Sequence, residues 1–133
     1  MMHFVGTEDI IKLALAILLG TLIGLERELK GKPAGLRTNI LIILGSTLAM
    51  MISYHVARGP HGQLLFDPGR IAAQVVTGIG FIGAGSILQT RGTVVGLTTA
   101  ATIWVVAIIG LVICCGHYFL AIAATGFILV CLI

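Results

Sequence analysis

Charge is what this sequence has least of: eight Lys or Arg and five Asp or Glu in 133 residues, where a soluble domain carries roughly one charged residue in four. No acid follows Asp67, and no charged residue of either sign follows Arg91. An ordinary soluble domain is thereby excluded, and so is a nucleic-acid module, which needs a basic stripe on a soluble scaffold. Cysteine is scarce as well. Cys114, Cys115 and Cys131 offer neither a disulfide framework nor a C-x-x-C metal spacing, and they read as packing residues. The amino terminus is acidic before its apolar run, and that run ends in Glu-Arg-Glu without a small-residue cleavage site, so no removable signal peptide is expected.

What is present is apolar: 58% of the residues are hydrophobic. Residues 38–57 and 71–90 are uncharged runs of 20, and at ~1.5 Å of rise per residue each matches a hydrocarbon core of about 30 Å. The 42 residues after Arg91 are too long for one span and break naturally at Cys114-Cys115-Gly116-His117. The expectation is an all-α integral membrane protein, a bundle of five transmembrane helices at about 10–25, 38–57, 71–90, 94–113 and 118–133, forming a single domain in the lipid bilayer. Arg27, Lys30, Lys32, Arg37 and Arg91 fall on one side of this arrangement, against Lys12, Arg58 and Arg70 on the other. The positive-inside rule then puts the amino terminus outside and the carboxyl terminus in the cytoplasm.

The stretch TGIGFIGAG sets Gly78, Gly80 and Gly83 in the G-x-G-x-x-G spacing of a dinucleotide loop. That loop needs a carboxylate some 20 residues later for a ribose hydroxyl, and here no acid follows at all. The second use of glycine is helix packing, since lipid gives helices no hydrophobic reason to associate and small residues let backbones approach. Gly78 and Gly85 are seven apart, Gly80 and Ala84 four apart, and Gly83 broadens the face. This places the third helix at the centre of the bundle. Ala16, Gly20 and Gly24 repeat every four residues on the first helix and lead to Glu28. At an offset of 61 residues, Gly24, Gly31, Gly35, Leu36 and Thr38 match Gly85, Gly92, Gly96, Leu97 and Thr99. Two parallel hairpin repeats followed by a fifth helix fit this; so does a shared preference of short turns for glycine and a basic residue.

Polar residues beside a span are costly enough to suggest a role, and two groups stand out. Glu26, Arg27 and Glu28 precede Arg37, Thr38 and Asn39, so that Glu26 or Glu28 is expected to pair with Arg37 across the turn while Asn39 faces inward. Asp67, Arg70 and Gln74 begin the third span, with Asp67 placed to cap the helix and structural pairing the simpler reading. His3, His55, His61 and His117 all fall on the outer side. Imidazole titrates near pH ~6.5, which makes His55, His61 and His117 candidates for acid sensing, against the plainer reading of isolated interfacial histidines.

GLERELKGKPAGLRTNILIILGS, DPGRIAAQVVTGIGFIGAGSIL and GLTTAATIWVVAIIG resemble, in order and separation, the membrane domain of the MgtC/SapB family. The resemblance implies a bacterial inner-membrane protein of five spans, linked to growth under low magnesium, survival in host cells or acid stress, without established enzymatic activity. Glu26 falls on the acid of the family's G-x-E-R motif and residues 34–39 on its A-G-L-R-T-N segment; Asp67, Arg70, Gln74, Gly78, Gly80, Gly83 and Gly85 match the motif around span 3. Many members carry a soluble cytoplasmic domain after the fifth span. None follows here, and a last run of 16 residues is short for a span, so the chain is expected to be a fragment.

Three functions compete: a regulator acting by helix contacts on a membrane partner or on a second copy of itself, a Mg²⁺ transporter or channel subunit, and a membrane enzyme. No acid lies inside a predicted span to ligate Mg²⁺, although a ring of Glu26 from several subunits remains open. Ser46, Ser53 and Ser86 lack a nearby His and Asp pair in sequence, which argues against an enzyme. The reading is therefore a non-enzymatic, cofactor-free regulator with Mg²⁺ as an open possibility, no nucleic-acid partner, and self-association or another membrane protein as its means of action.

Overall fold

α1 (Thr7–Leu29) opens with the Gly6 amide donating to Asp9 Oδ2 at 3.0 Å, and its end charges suit the helix dipole, with Glu8 and Asp9 in the first turn and Arg27 in the last. The computed structural model describes residues 6–133. α2 (Leu36–Ala57), α3 (Gly69–Gly85), α4 (Leu97–Cys114) and α5 (Tyr118–Leu132) follow, with a short hairpin, β1 (Leu88–Thr90) and β2 (Thr93–Val95), between α3 and α4. Leu88 stands opposite Val95 and Thr90 opposite Thr93. Two of the helices, α2 and α4, are long and apolar enough to cross a membrane.

The uncharged run 71–90 does not form one helix. α3 stops at Gly85, where the Ser86 amide and hydroxyl both turn back to the Gly83 carbonyl, at 3.0 and 2.6 Å. Beyond it, β-branched residues on either side of an Arg-Gly pair make a hairpin, with Arg91 at φ 47° and Gly92 at φ 80° supplying the turn. Gly96 returns the chain to α4 at φ 98°, and a side chain there would strike the Ser86 carbonyl. Only glycine meets both conditions.

The centre of the bundle is α2 with α4, not α3. α4 packs against all four other helices, and its all-round apolar sequence suits that position. Its closest approach is Gly110, where an added Cβ would lie 2.6 Å from the Ile43 carbonyl and would also strike the Ser46 hydroxyl. The Thr47 hydroxyl sits within reach of two carbonyls there, Ile43 at 2.7 Å and Gly110 at 3.1 Å. α1 packs on α2 through Gly20 and Gly24, whose added Cβ atoms would meet Ile43 Cγ2 and Leu36 Cα, each at 2.7 Å. Ala16, Leu19, Ile23, Ile43, Val106 and Ile113 fill the space between the three.

α3 leans on this core with Ile79 and Gly83, its two buried residues. Gly83 approaches the Ala100 carbonyl of α4, and Ile79 packs with Ile103 and Ala107. Gly78, Gly80 and Gly85, expected in a helix contact, face open space within this chain. Helix phase explains this: the stripe meeting α4 is set by positions 79 and 83, and 78, 80 and 85 lie off it. α1 with α2 and α3 with α4 each form an antiparallel hairpin. Gly31 and Gly92, equivalent at the 61-residue offset, both have positive φ (62° and 80°), but one connection is an irregular turn and the other a β-hairpin.

Candidate functional site

The end of α1 and the starts of α2 and α4 meet at one end of the bundle, where Arg27, Asn39 and Thr99 are buried together. Arg27 falls on the same face as Gly20, Ile23 and Gly24, so the helix that carries these residues into the core carries a guanidinium with them. Arg27 is only 4% exposed. Its Nη2 donates to Thr99 Oγ1 on α4 at 2.7 Å, and its Nε is buried without a partner. Among the described residues it has no carboxylate partner. A buried cation held by one hydroxyl is costly.

Asn39, fully buried in the first turns of α2, donates Nδ2 to the Ala34 and Gly35 carbonyls at 2.6 and 2.9 Å. It thereby ties down the irregular turn in which Ala34 holds φ 56°. Its Oδ1 is buried with no hydrogen-bond partner. Glu28 caps the same helix from outside, its Oε2 accepting the Leu36 amide at 2.8 Å, where a carboxylate also meets the positive end of the helix dipole.

Glu26 pairs with Lys30, one turn on, at 2.8 Å. Both its carboxylate oxygens are shut off from solvent, and Lys30 is their charge partner. Lys30 also donates to the Leu132 carbonyl at 2.7 Å, joining the end of α5 to this region. The expected bridge from Glu26 or Glu28 to Arg37 is not formed. Position 36 and position 39 face the turn and α1, and helix phase sends Arg37 and Thr38 outward, where both are exposed.

The Asp67, Arg70 and Gln74 group does not assemble into a side-chain network. Asp67 Oδ1 accepts the Gly69 amide at 2.8 Å and so starts α3, Ser53 of α2 donates to the Pro68 carbonyl at 2.5 Å, and Arg70 and Gln74 are exposed. The histidines are also dispersed. His55 lines a cavity of about 900 Å³ at the opposite end of the bundle, together with Glu8, Lys12, Tyr54 and Arg58. His61 is exposed in the loop before α3 and His117 at the start of α5. His3 lies outside the described residues.

The chemistry available at the Arg27 end is hydrogen bonding and charge. Among the described residues no three His, Cys, Asp or Glu side chains are grouped to hold a metal ion. What remains unsatisfied is one donor, Arg27 Nε, and one acceptor, Asn39 Oδ1, while the Glu26 carboxylate has Lys30 as its charge partner. Two features carry no local signal in the sequence. Thr99 stands out only as a repeat position and not as the acceptor for Arg27, and Gly110 is one glycine in an apolar run without a periodic companion.

A family model described as the MgtC family matches residues 13–133. YhiD of Escherichia coli (strain K12), by its name a candidate magnesium transporter, is 55% identical over 119 residues, covering 86% of this chain and 54% of YhiD. Protein SapB of Bacillus subtilis (strain 168) is 42% identical over 132 residues, 96% of this chain and 56% of SapB. Protein MgtC of Salmonella typhimurium (strain LT2) is 46% identical over 120 residues, 90% of this chain and 49% of MgtC. The chain thus spans about half the length of the curated relatives it matches. No solved structure matches it.

Proposed function

The chain belongs to the MgtC family, and from that premise we propose that it is the five-span bundle of a bacterial inner-membrane regulator, acting by helix contact rather than by catalysis. In this reading the amino terminus is outside and the carboxyl terminus in the cytoplasm, which the distribution of Lys and Arg supports. The setting is magnesium limitation or acid stress, following the family resemblance.

The observation that carries the reading is the outward face of α3. Gly78 and Gly85, two turns apart on one face, have open space over them, Phe81 is 85% exposed between them, and the exposed Gln74 amide lies one turn before Gly78 on the same face. In a bilayer, small residues beside a projecting ring form a surface that another helix fits closely, and an amide among them gains by hydrogen bonding across the contact. The contact is made with a second copy or with another membrane protein.

A transporter is the second reading, favoured by the name of YhiD and by the sequestered carboxylate of Glu26. Against a conduit within one chain, hard cations need several oxygen ligands together, while the buried hydroxyls between the two ends are already turned to carbonyls: Ser46 and Thr47 to Ile43, Thr102 to Thr98, and Thr125 to Ala121. Reconstitution in liposomes loaded with a Mg²⁺ dye decides between the readings. The regulator predicts no flux, together with disulfide capture of single cysteines at positions 78 or 85 in native membranes. Flux that is lost in Glu26→Gln overturns it.

A further inference from the structure

The cavity at the outer end holds a combination of groups that contact through α3 does not use. Glu8 and Asp9 stand in the first turn of α1, Lys12 one turn on, and Arg58 at the end of α2, all lining one space of about 900 Å³. Asp9 Oδ2 accepts the Gly6 amide, but among the described residues none of these four side chains is in an ion pair. Two carboxylates and two cations therefore line the same volume with no ion pair closed between them. A ligand of one sign is attracted by half of this wall and repelled by the other half. One carrying both signs a few bonds apart satisfies the whole of it.

The remaining wall sets the second property of the ligand. Leu48 and Ile52, about three and two turns deeper on α2 than Arg58, also line the cavity, as does Ile11 beside Lys12, and they are 47%, 54% and 52% exposed, so part of its wall is apolar and open. Charged at the level of the bilayer surface and apolar toward its middle, the site has the polarity profile of a lipid and not of a soluble metabolite.

We propose that this cavity binds a phospholipid whose headgroup carries a phosphate and a primary ammonium. The phosphate lies toward Lys12 and Arg58, the ammonium toward Glu8 and Asp9, and an acyl chain along Ile11, Leu48 and Ile52. The proposal rests on the membrane-embedded reading above. A primary ammonium donates three hydrogen bonds to carboxylates and a quaternary one donates none, so the site selects an ethanolamine over a choline headgroup and either over a purely anionic one.

The test uses the full chain, delipidated in mild detergent and titrated in native mass spectrometry with phosphatidylethanolamine, phosphatidylcholine or phosphatidylglycerol, and separately with free phosphoethanolamine. Half-occupancy by phosphatidylethanolamine is expected at a concentration about tenfold below that of the other two lipids, the effect of one hydrogen bond to a charged group. Glu8→Gln should abolish that preference and Arg58→Ala should weaken all three lipids together, both at exposed positions, while Lys32→Ala at the other end should change neither. Equal binding of the three lipids, a preference that survives Glu8→Gln, or lipid binding unchanged by Arg58→Ala overturns the proposal. Free phosphoethanolamine binding as tightly as the lipid overturns the lipid as its source. Alkaline carbonate extraction of native membranes separates the two levels: release of the chain overturns the membrane reading as well, whereas retention without headgroup preference overturns the lipid site alone.

Discussion

Arg27 Nη2 and Thr99 Oγ1, 72 residues apart in the chain, meet at 2.7 Å in a buried contact that joins the end of α1 to the start of α4. Thr99→Val removes the one acceptor held by a buried guanidinium and should lower stability by about 1.5–3 kcal/mol, read as a fall in the detergent melting temperature. Arg27→Met should cost less when Thr99 is already Val. A double-mutant cycle without coupling would show that the bond contributes nothing.

Gly110 gives the second prediction. Gly110→Ala forces a methyl group against the Ile43 carbonyl and the Ser46 hydroxyl, and overpacking of this kind costs about 1–3 kcal/mol. Gly126→Ala, at a position with open space, is the control and should melt with the parent. Identical melting of the two variants would mean that α2 and α4 are not in close contact.

On α3 the glycines should separate into two groups. Gly83→Leu meets Ala100 within the chain and should destabilise the isolated protein. Gly78→Leu and Gly85→Leu, on the outward face, should leave its melting unchanged while weakening helix contact or function in membranes. If all three melt alike and all three remain active, α3 carries no contact surface.

Charge exchange distinguishes the pairing at the end of α1. Glu26→Lys combined with Lys30→Glu should recover part of what Glu26→Lys loses, up to about 1 kcal/mol for a pair with one partly exposed member. The exchange between positions 26 and 37 should recover nothing. Rescue by Arg37→Glu would show that the side chains pair across the turn after all.

Glu28→Ala should cost about 0.5–2 kcal/mol, the range for losing a capping oxygen, because it removes the carboxylate that accepts the Leu36 amide. Glu28→Gln retains an acceptor and should fall between the two. A Gln variant as unstable as the Ala variant would assign the effect to charge at the helix terminus rather than to the hydrogen bond.

Polar and glycine-rich turns mark the breaks between α1 and α2 and between α4 and α5, although α1 runs on through Glu26 to Leu29, past the end of its apolar run. The end of α3 was not legible in this way. Hydropathy sees residues 71–90 as uniform, whereas the backbone sees a serine that turns back on Gly83 and an Arg-Gly turn that needs positive φ at both positions. The polar residues of the candidate site were marked by their rarity, but their partners were not. Glu26 with Lys30 was available from i,i+4 spacing, and the turn drew attention to Arg37 instead. Arg27 with Thr99 needs the packing of α1 beside α4, which no local pattern contains.

The seat of Gly110 against Ile43, Ser46 and Thr47 also has a mechanical consequence. Sliding α4 along α2 by a single residue would bring Ile109 or Leu111 to a place where there is no room for one methyl group. Such a crossing has one stable register, and close-packed interfaces switch between discrete arrangements instead of deforming gradually. α2 and α4 therefore act as a rigid spine, and displacement driven by a neighbour must be taken up by the peripheral helices. α5, which buries only Ala121 and Thr125, and α3, which buries only Ile79 and Gly83, are the two parts free to tilt against it.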